Sequence, residues 1–554
     1  MLKNGAQILL DLLYESGIDT IFGYPGGAVI PLYHELGAQY DRFTHIRTSH
    51  EQGAVHAADG YARSTGKLGV CFATSGPGVT NTVTGIATAY LDSSPLLVIS
   101  GQVPTALLGK DSFQEIDITG MCMSITKYSV LVRKIEDLEK IIRKAIKIAT
   151  SGRPGPVLID IPKDLFIKEV EFPRYPDYEY EMSQPKIDLE KVQYACALIN
   201  QSERPIVYAG GGIRIAEAHE GLRRFCVDKE IPVVNTLMSL GTFPRTHELS
   251  LGMVGMHGYP EANMAITKSD LIIAIGARFS DRVIGNPKDF AEHAKVIHVD
   301  FDLTEFSKNI DADVDICGDL NVILEHFNQN VEERHRGPWL KEIKVYCVEQ
   351  QISETMGEGL PPKDVIETVH ESLGGTSIIA TDVGQHQMWT AQYFKFQNQR
   401  QFITSGGLGT MGFGLGAAIG AKMGNPDKHV VLITGDGSFR MNNNELATVM
   451  DYNIPMLIIL FNNSVLGMVR QWQKLFQAGR YAETTLSTHM DYCKLASAYG
   501  IESIKARSIF ELKQSVERFK KSGKAMFIEC KINKNEDVYP IVPPGKSIDQ
   551  YLTR

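Results

Sequence analysis

The sequence predicts an α/β protein of several domains, each a mainly parallel, doubly wound sheet flanked by helices. Three observations carry this reading. The chain has 554 residues, more than one hydrophobic core serves, and at roughly 150 residues per domain it implies about three to four domains. Short β-branched apolar runs alternate with helical patterns, as parallel strands joined by crossover helices do. The composition, 43% hydrophobic and 22% charged, is that of a folded chain rather than a disordered one.

The elements follow in order. The opening MLKNGAQILLDLLYESG reads as an amphipathic helix; Asp11 and Glu15 interrupt it where a signal peptide would stay apolar. Region one, 1–168, places strands at 69–73, 96–100 and 157–161. A Pro/Tyr-rich acidic passage, 169–186, reads as a linker. Region two, 187–330, holds the strands RPIVYAG, IPVVNT, SDLIIAIGA and AKVIHVDFD. A second polar passage, 331–362, reads as a linker to region three, 363–554, which contains HVVLITGDG and IPMLIILFNN. Regions one and three look alike. Thr74-Ser75-Gly76-Pro77-Gly78 has a counterpart in Thr404-Ser405-Gly406-Gly407-Leu408-Gly409, and PLLVISG (95–101) in HVVLITG (429–435). A duplication of this kind suits a ligand held between two halves.

Charge and cysteine usage exclude several classes. Lys+Arg 56 against Asp+Glu 65 leaves a net charge of −9, which disfavours a nucleic-acid binder. The eight cysteines form no C-x-x-C pair, so zinc and redox motifs are absent and a reducing, cytoplasmic setting is expected. The stretches 68–91 and 401–421 lack charge, but Gly-Pro-Gly breaks the first and seven glycines the second, so neither suits a membrane span. Both read as backbone packed closely against something, a ligand among the candidates.

The chemistry concentrates in region three. The β-branched run 430–434 ends in Gly435-Asp436-Gly437, and the next apolar run, 456–461, ends in Asn462-Asn463. The spacing of Asp436 and Asn463 is close to one βαβ unit, which puts both at the carboxyl ends of neighbouring parallel strands, where open α/β sheets bind ligands. Their hard oxygens suit Mg²⁺ completed by phosphate, and the glycines let backbone N–H groups approach a diphosphate.

GDGSFRMNNNELATVMDYNIPMLIILFNN resembles the metal and diphosphate motif of the thiamine-diphosphate enzymes, and His50-Glu51-Gln52-Gly53-Ala54 resembles their aminopyrimidine-binding glutamate segment. Within that superfamily the chain is most similar to the acetohydroxyacid (acetolactate) synthase catalytic chains, from FGYPGG (22–27) to VPPGKSIDQYL (542–552). The resemblance implies a thiamine-diphosphate-binding fold with pyrimidine-binding, central FAD-binding and diphosphate-binding domains. It implies a transferase that decarboxylates pyruvate and ligates the product to a second 2-keto acid, in branched-chain amino acid biosynthesis. Its cofactors would be thiamine diphosphate, Mg²⁺ and a structural FAD.

By the same resemblance, Glu51, Gln114 and Gly27 are the catalytic candidates, with Glu51 bonding the cofactor's aminopyrimidine. Arg282 would bind the second acid's carboxylate; Trp472, Met256 and Phe113 would line the substrate site. Thiamine diphosphate would be held by Glu51, Pro25 and Gly76, by Val383, Gly384, Gln385, His386, Gly409 and Met411, and by Gly435, Asp436, Gly437, Ser438, Met441, Asn463, Gly467 and Met468. Asp436, Asn463 and the Val465 carbonyl would hold the metal. FAD would contact Arg153, Gly210, Gly211, Gly212, Thr236 and Leu237, then Met256, His257, Gly276, Ala277, Arg278, Asp300 and Asp319. The flavin-linked pyruvate oxidases share fold and cofactors, and the fermentative synthases lack FAD; Trp472 and Arg282, suited to a second keto acid, speak against the first. Two departures stand out: R-F-S-D-R (278–282), where the family usually has R-F-D-D-R, and the apolar Val465-Leu466 after Asn463-Ser464. Family members work as homodimers or homotetramers with the active site across the interface, and often bind a small regulatory chain. No nucleic-acid or membrane partner is expected, and the cytoplasm is the expected location.

Overall fold

The computed structural model describes residues 2–172, 185–290, 292–346 and 358–553. Parts of the two expected linkers, 173–184 of the first and 347–357 of the second, lie outside the described residues. What is described of them is partly regular. β1 (Leu2–Asn4) pairs antiparallel with β8 (Glu169–Glu171), and the helix Gly337–Lys344 is pinned to the middle of the chain by Trp339 Nε1, which donates to the Pro205 carbonyl at 3.1 Å. The opening helix, Gly5–Glu15, starts on a capping box: the Asn4 side chain accepts from Gln7 N at 2.9 Å and the Gln7 side chain from Asn4 N at 3.2 Å.

Three six-stranded parallel sheets carry the molecule. The first uses β2 (Thr20–Gly23), β3 (Thr44–Arg47), β4 (Gly69–Ala73), β5 (Leu96–Gln102), β6 (Tyr128–Leu131) and β7 (Pro156–Pro162), in the order 3-2-4-5-7-6. The second uses β9 (Pro205–Ala209), β10 (Val233–Asn235), β11 (Ser250–Met253), β12 (Leu271–Ile275), β13 (Lys295–Asp300) and β14 (Val314–Cys317), in the order 11-10-9-12-13-14. The third uses β15 (Ile378–Thr381), β16 (Phe402–Ile403), β17 (Val430–Gly435), β18 (Leu457–Asn462), β19 (Glu502–Ala506) and β20 (Met526–Lys531), in the order 16-15-17-18-20-19. Their inner strands are almost wholly buried, as β-branched runs covered by helices on both faces must be, while the edge strands β3, β6 and β19 are partly exposed.

Numbered from its own first strand, the first sheet runs 2-1-3-4-6-5, and so does the third. The outer two sheets therefore share one strand order, as a duplication would give, but the expected motif pairing is off by one strand. Thr74-Ser75-Gly76 follows the third strand of its sheet (β4), whereas Thr404-Ser405-Gly406 follows the second of its own (β16); PLLVISG is a fourth strand and HVVLITG a third. Short Thr-Ser-Gly turns recur at the ends of parallel strands, so they do not fix the correspondence. The middle sheet runs 3-2-1-4-5-6, the order of doubly wound dinucleotide-binding folds.

The outer two domains share one hydrophobic core. Ala54, Ala57, Ala58 and Tyr61 of the helix Glu51–Thr65 pack with Leu415, Ala417 and Ala418 of the helix Gly414–Gly424. Glycines let these helices touch. A Cβ on Gly60 would stand 2.5 Å from Ala417 Cα, and one on Gly420 2.6 Å from the Ala57 carbonyl carbon. Part of the charge-free stretch 401–421 thus packs helix against helix, not backbone against ligand. No helix among the described residues is long and apolar enough to cross a membrane.

Candidate active site

The carboxyl ends of the middle and third sheets open onto one cavity of about 1270 Å³. In both sheets the turns that line it flank the point where strand order reverses, the position at which open α/β sheets take ligands. In the middle sheet these are Gly210, Gly211 and Gly212 after β9 and Gly276, Ala277 and Arg278 after β12; in the third they are Val383, Gly384, Gln385 and His386 after β15 and Gly435, Asp436 and Gly437 after β17. Asn463 and Val465, just past β18, border the same space. β17 and β18 are adjacent and in register, Gly435 beside Phe461, so the expected neighbourhood of Asp436 and Asn463 is met.

Asp436 is the first residue of a helix, Asp436–Asn442, and its Oδ2 accepts from Ser464 N at 3.0 Å. Burial pushes its carboxyl up to about 6. Asn463 is oriented by Gln385, whose Oε1 accepts from Asn463 Nδ2 at 3.3 Å; the Gln385 amide in turn donates to Gln471 Oε1 and the Glu536 carbonyl, both at 3.0 Å. A carboxylate, an amide oxygen and a backbone carbonyl are hard donors, the set a Mg²⁺ ion takes. His386 is buried, its ring nitrogen Nε2 has no hydrogen-bond partner among the described residues, and burial pushes its pKa down to about 3. A neutral imidazole with an unsatisfied nitrogen beside the cavity fits a polar ligand. Ser438 Oγ donates to the Val383 carbonyl at 3.0 Å, which ties the two turns together; Gly409, Met411, Gly467 and Met468 complete this part of the wall.

At the mouth, three expected substrate residues meet. The Arg282 guanidinium lies over the Trp472 ring, 5.6 Å from its centroid, and Nη1 is 3.9 Å from Met256 Sδ. The main chains are also joined, Met256 N to the Arg282 carbonyl at 2.8 Å. Ser280, which replaces the usual acid, caps the short helix Asp281–Ile284 by accepting from Arg282 N, as a carboxylate would. On the middle-sheet side, Arg153, Thr236, Leu237, His257 and Asp300 line the cavity. Burial pushes Asp300 up to about 6 and His257 down to about 4; His257 Nδ1 lies 3.2 Å from the Pro540 carbonyl.

Two expected contacts stand elsewhere. Asp319 does not border the cavity: its carboxylate caps the helix Leu320–Asn330, accepting from Asn321 N at 2.8 Å. Met441 lies outside the cavity too, 57% exposed at the protein surface. The glycine turns also pack on each other, a Cβ on Gly210 falling 2.5 Å from Ala277 Cα.

The remaining expected residues form a separate group at the carboxyl edge of the first sheet. Glu51 opens its helix, buried, with Oε2 accepting from Asn81 Nδ2 at 2.9 Å; Oε1 has no hydrogen-bond partner among the described residues. Thr74 Oγ1 accepts from Ala28 N at 3.2 Å, and the Thr74 side chain stands between Gly26 of the Pro25–Gly26–Gly27 turn and Gly78. Gln114 sits beside Gly76 with φ 62°, a left-handed conformation that costs a side-chain-bearing residue on the order of 1 kcal/mol. Phe113 next to it is 88% exposed. None of these residues lines the cavity.

The family models of the thiamine pyrophosphate enzymes match this chain three times: the N-terminal TPP binding domain at 3–121, the central domain at 192–327 and the C-terminal TPP binding domain at 382–530. The probable acetolactate synthase large subunit of Methanocaldococcus jannaschii is 45% identical over 98% of this chain and 94% of its own. The chain belongs to the acetolactate synthase large-subunit family of thiamine pyrophosphate enzymes. Two further members are similar over nearly full length. The acetolactate synthase large subunit of Lactococcus lactis is 43% identical over 99% of this chain and 96% of its own. The acetolactate synthase isozyme 2 large subunit of Escherichia coli is 42% identical over 100% of both.

Sequence reasoning missed several residues of this family member's site. Tyr208, Arg214 and Met238 line the cavity. Asp92 holds the Gly406 and Gly407 amides at 3.0 and 2.7 Å while pairing with Arg63 at 2.8 Å. A charge shortly after Gly210-Gly211-Gly212 was the available signal for Arg214; the others sit in ordinary strand and loop patterns.

Proposed function

We propose that the chain is the catalytic subunit of an acetolactate synthase, which decarboxylates pyruvate and joins the two-carbon remainder to a second 2-keto acid, pyruvate or 2-ketobutyrate. The observation that carries this is the meeting of Arg282, Trp472 and Met256 at the mouth of the cavity that Asp436 and Asn463 border. A guanidinium can grip a carboxylate bidentately, and the indole and thioether give an apolar wall for the second acid's side chain. Bound thiamine diphosphate supplies an electron sink for carbanion chemistry. Asp436, Asn463 and the Val465 carbonyl would hold its Mg²⁺; Gln385 orients Asn463, and His386 offers Nε2 to the cofactor.

Glu51 fits the role of the aminopyrimidine's partner, since Oε2 is anchored by Asn81 and Oε1 is left to receive a ring nitrogen's hydrogen bond. That group stands away from the cavity, so the working unit is a homodimer, or a tetramer built from it, in which one copy's Glu51, Gln114, Phe113 and Gly27 serve the other's cavity. The exposed Phe113 and Met441 support a covered face. The middle sheet fits a flavin dinucleotide: turns at its strand-order reversal line the cavity, and Asp300, at the end of β13, offers a buried carboxylate to hydroxyl groups. FAD there is structural. The relatives' name, large subunit, supports a smaller regulatory partner, and a biosynthetic enzyme of this kind works in the cytoplasm.

The test is one assay in air-saturated phosphate buffer: purified protein with Mg²⁺, thiamine diphosphate and pyruvate, with and without 2-ketobutyrate and FAD. Acetolactate, and acetohydroxybutyrate when 2-ketobutyrate is added, are expected. Acetyl phosphate and hydrogen peroxide in their place would refute the reading in favour of an oxidase.

A further inference from the structure

Arg214 has no role in the chemistry above, yet it lines the cavity and is only 8% exposed. It belongs to the short helix Gly211–Ile215, directly after the β9 turn. Among the described residues its guanidinium makes no hydrogen bond, ion pair or ring contact. A buried guanidinium without a counter-charge is costly, and burial, with Arg400 and Arg63 nearby, pushes its pKa down to about 9.

The acids nearby are already engaged. Both Asp59 oxygens accept from Arg63, at 2.7 and 2.8 Å. Asp92 accepts from Arg63 and from the Gly406 and Gly407 amides. Arg400 pairs with Glu217 and donates to the Arg63 and Arg214 carbonyls. Elsewhere on the cavity wall Arg153 is taken by Asp302 and Glu305, and Arg278 donates to the Leu91 carbonyl. Arg214 is thus the buried cation of this wall with its donors still to satisfy, at the reversal point of a 3-2-1-4-5-6 sheet.

A flavin dinucleotide carries its formal charge on the diphosphate, and Asp300, Asp302 and Glu305 on the same wall would repel it. We propose that Arg214 is an anion-holding residue of the dinucleotide site, gripping the diphosphate of FAD. This rests on the flavin reading given above. A charge-assisted bidentate contact made away from water is among the stronger polar interactions a protein offers, so its loss is expected to weaken FAD about 10- to 100-fold.

The experiment titrates purified protein with FAD and with riboflavin, which has the ring but no phosphate, following flavin fluorescence. Wild type, Arg214→Gln and Arg214→Lys are compared, with circular dichroism and flavin-free melting to confirm the fold. The wild type is expected to favour FAD over riboflavin. Arg214→Gln should cut that preference at least about tenfold, with riboflavin binding unchanged, and Arg214→Lys should fall between. If Arg214→Gln does not fold, Arg214→Lys decides: an FAD-to-riboflavin ratio below wild type supports the assignment. A ratio equal to wild type in every folded variant overturns it and leaves the flavin reading standing. A wild type that binds neither flavin overturns both.

Discussion

Replacing Gly420 with alanine tests how tightly the outer two domains are held. The new Cβ would stand 2.6 Å from the Ala57 carbonyl carbon and 2.8 Å from Tyr61 N, and would overlap the Ala57 carbonyl oxygen. All three are backbone atoms of the facing helix, so no side chain can rotate away. The helices must part, against the core of Ala54, Ala57, Ala58, Leu415, Ala417 and Ala418. Overpacking of this kind costs about 3 kcal/mol at the upper end of its range. Alanine returns roughly 0.5–1 kcal/mol by stiffening the unfolded chain and favouring helix. The net is a loss of about 2 kcal/mol, a drop on the order of 5 °C in the first thermal midpoint. Activity should fall with it, because the displaced helix begins at Glu51. Gly37→Ala is the control: it ends a helix with no atom within 4 Å of the added Cβ, and should be neutral or slightly stabilising. If Gly420→Ala melts with wild type and with Gly37→Ala, the close approach of these helices is wrong.

Three more outcomes are expected. Glu51→Gln should abolish carboligation while melting and circular dichroism stay close to wild type; full activity would remove Glu51 from the chemistry. Trp472→Leu should lower the preference for 2-ketobutyrate over pyruvate, within the ~1–3 kcal/mol that one methylene can supply, read as the product ratio in a competition assay; an unchanged ratio counts against the apolar wall. Asp160 is buried, bonded by Ser100 Oγ at 2.6 Å and Gln102 Nε2 at 2.8 Å, and burial raises its carboxyl to about 7. Its folded-state pKa lies above the unfolded value near 3.9, so folding takes up a proton between them and stability falls as pH rises through that window. Asp160→Asn removes this slope, about 1.4 kcal/mol per pH unit at most. The variant should therefore gain on wild type between pH 5 and pH 8, measured as the difference in melting midpoint; a constant difference would refute it.

Much of this was legible in the chain. β-branched runs ending in Gly-Asp-Gly and Asn-Asn mark adjacent parallel strands because side-chain type and βαβ spacing are local properties, and β17 and β18 pair as that pattern requires. Packing across elements is not local. Gly420 lies in a charge-free, glycine-rich stretch for which a ligand is one candidate neighbour until the facing helix is known. Thr-Ser-Gly pairs the outer domains one strand out of step, because a short turn carries no strand number. Asp319, a flavin contact by the resemblance alone, proves to be a helix cap, a role any Asp before an apolar helical run can take. Arg214 passed unnoticed because a lone arginine on a helix is usually solvated; only the cavity beside it, and the saturation of Asp59 and Asp92 by other donors, set it apart.

The central claim is that a complete site needs Glu51 of one copy and Asp436 of another. Mixing Glu51→Gln with Asp436→Asn, each inactive alone, tests it most directly. In a two-fold dimer the mixed species has one site with both native residues and one with neither, so random exchange should restore about a quarter of wild-type activity. Mixed dimers that form, as native mass spectrometry would show, and yet stay inactive would contradict it.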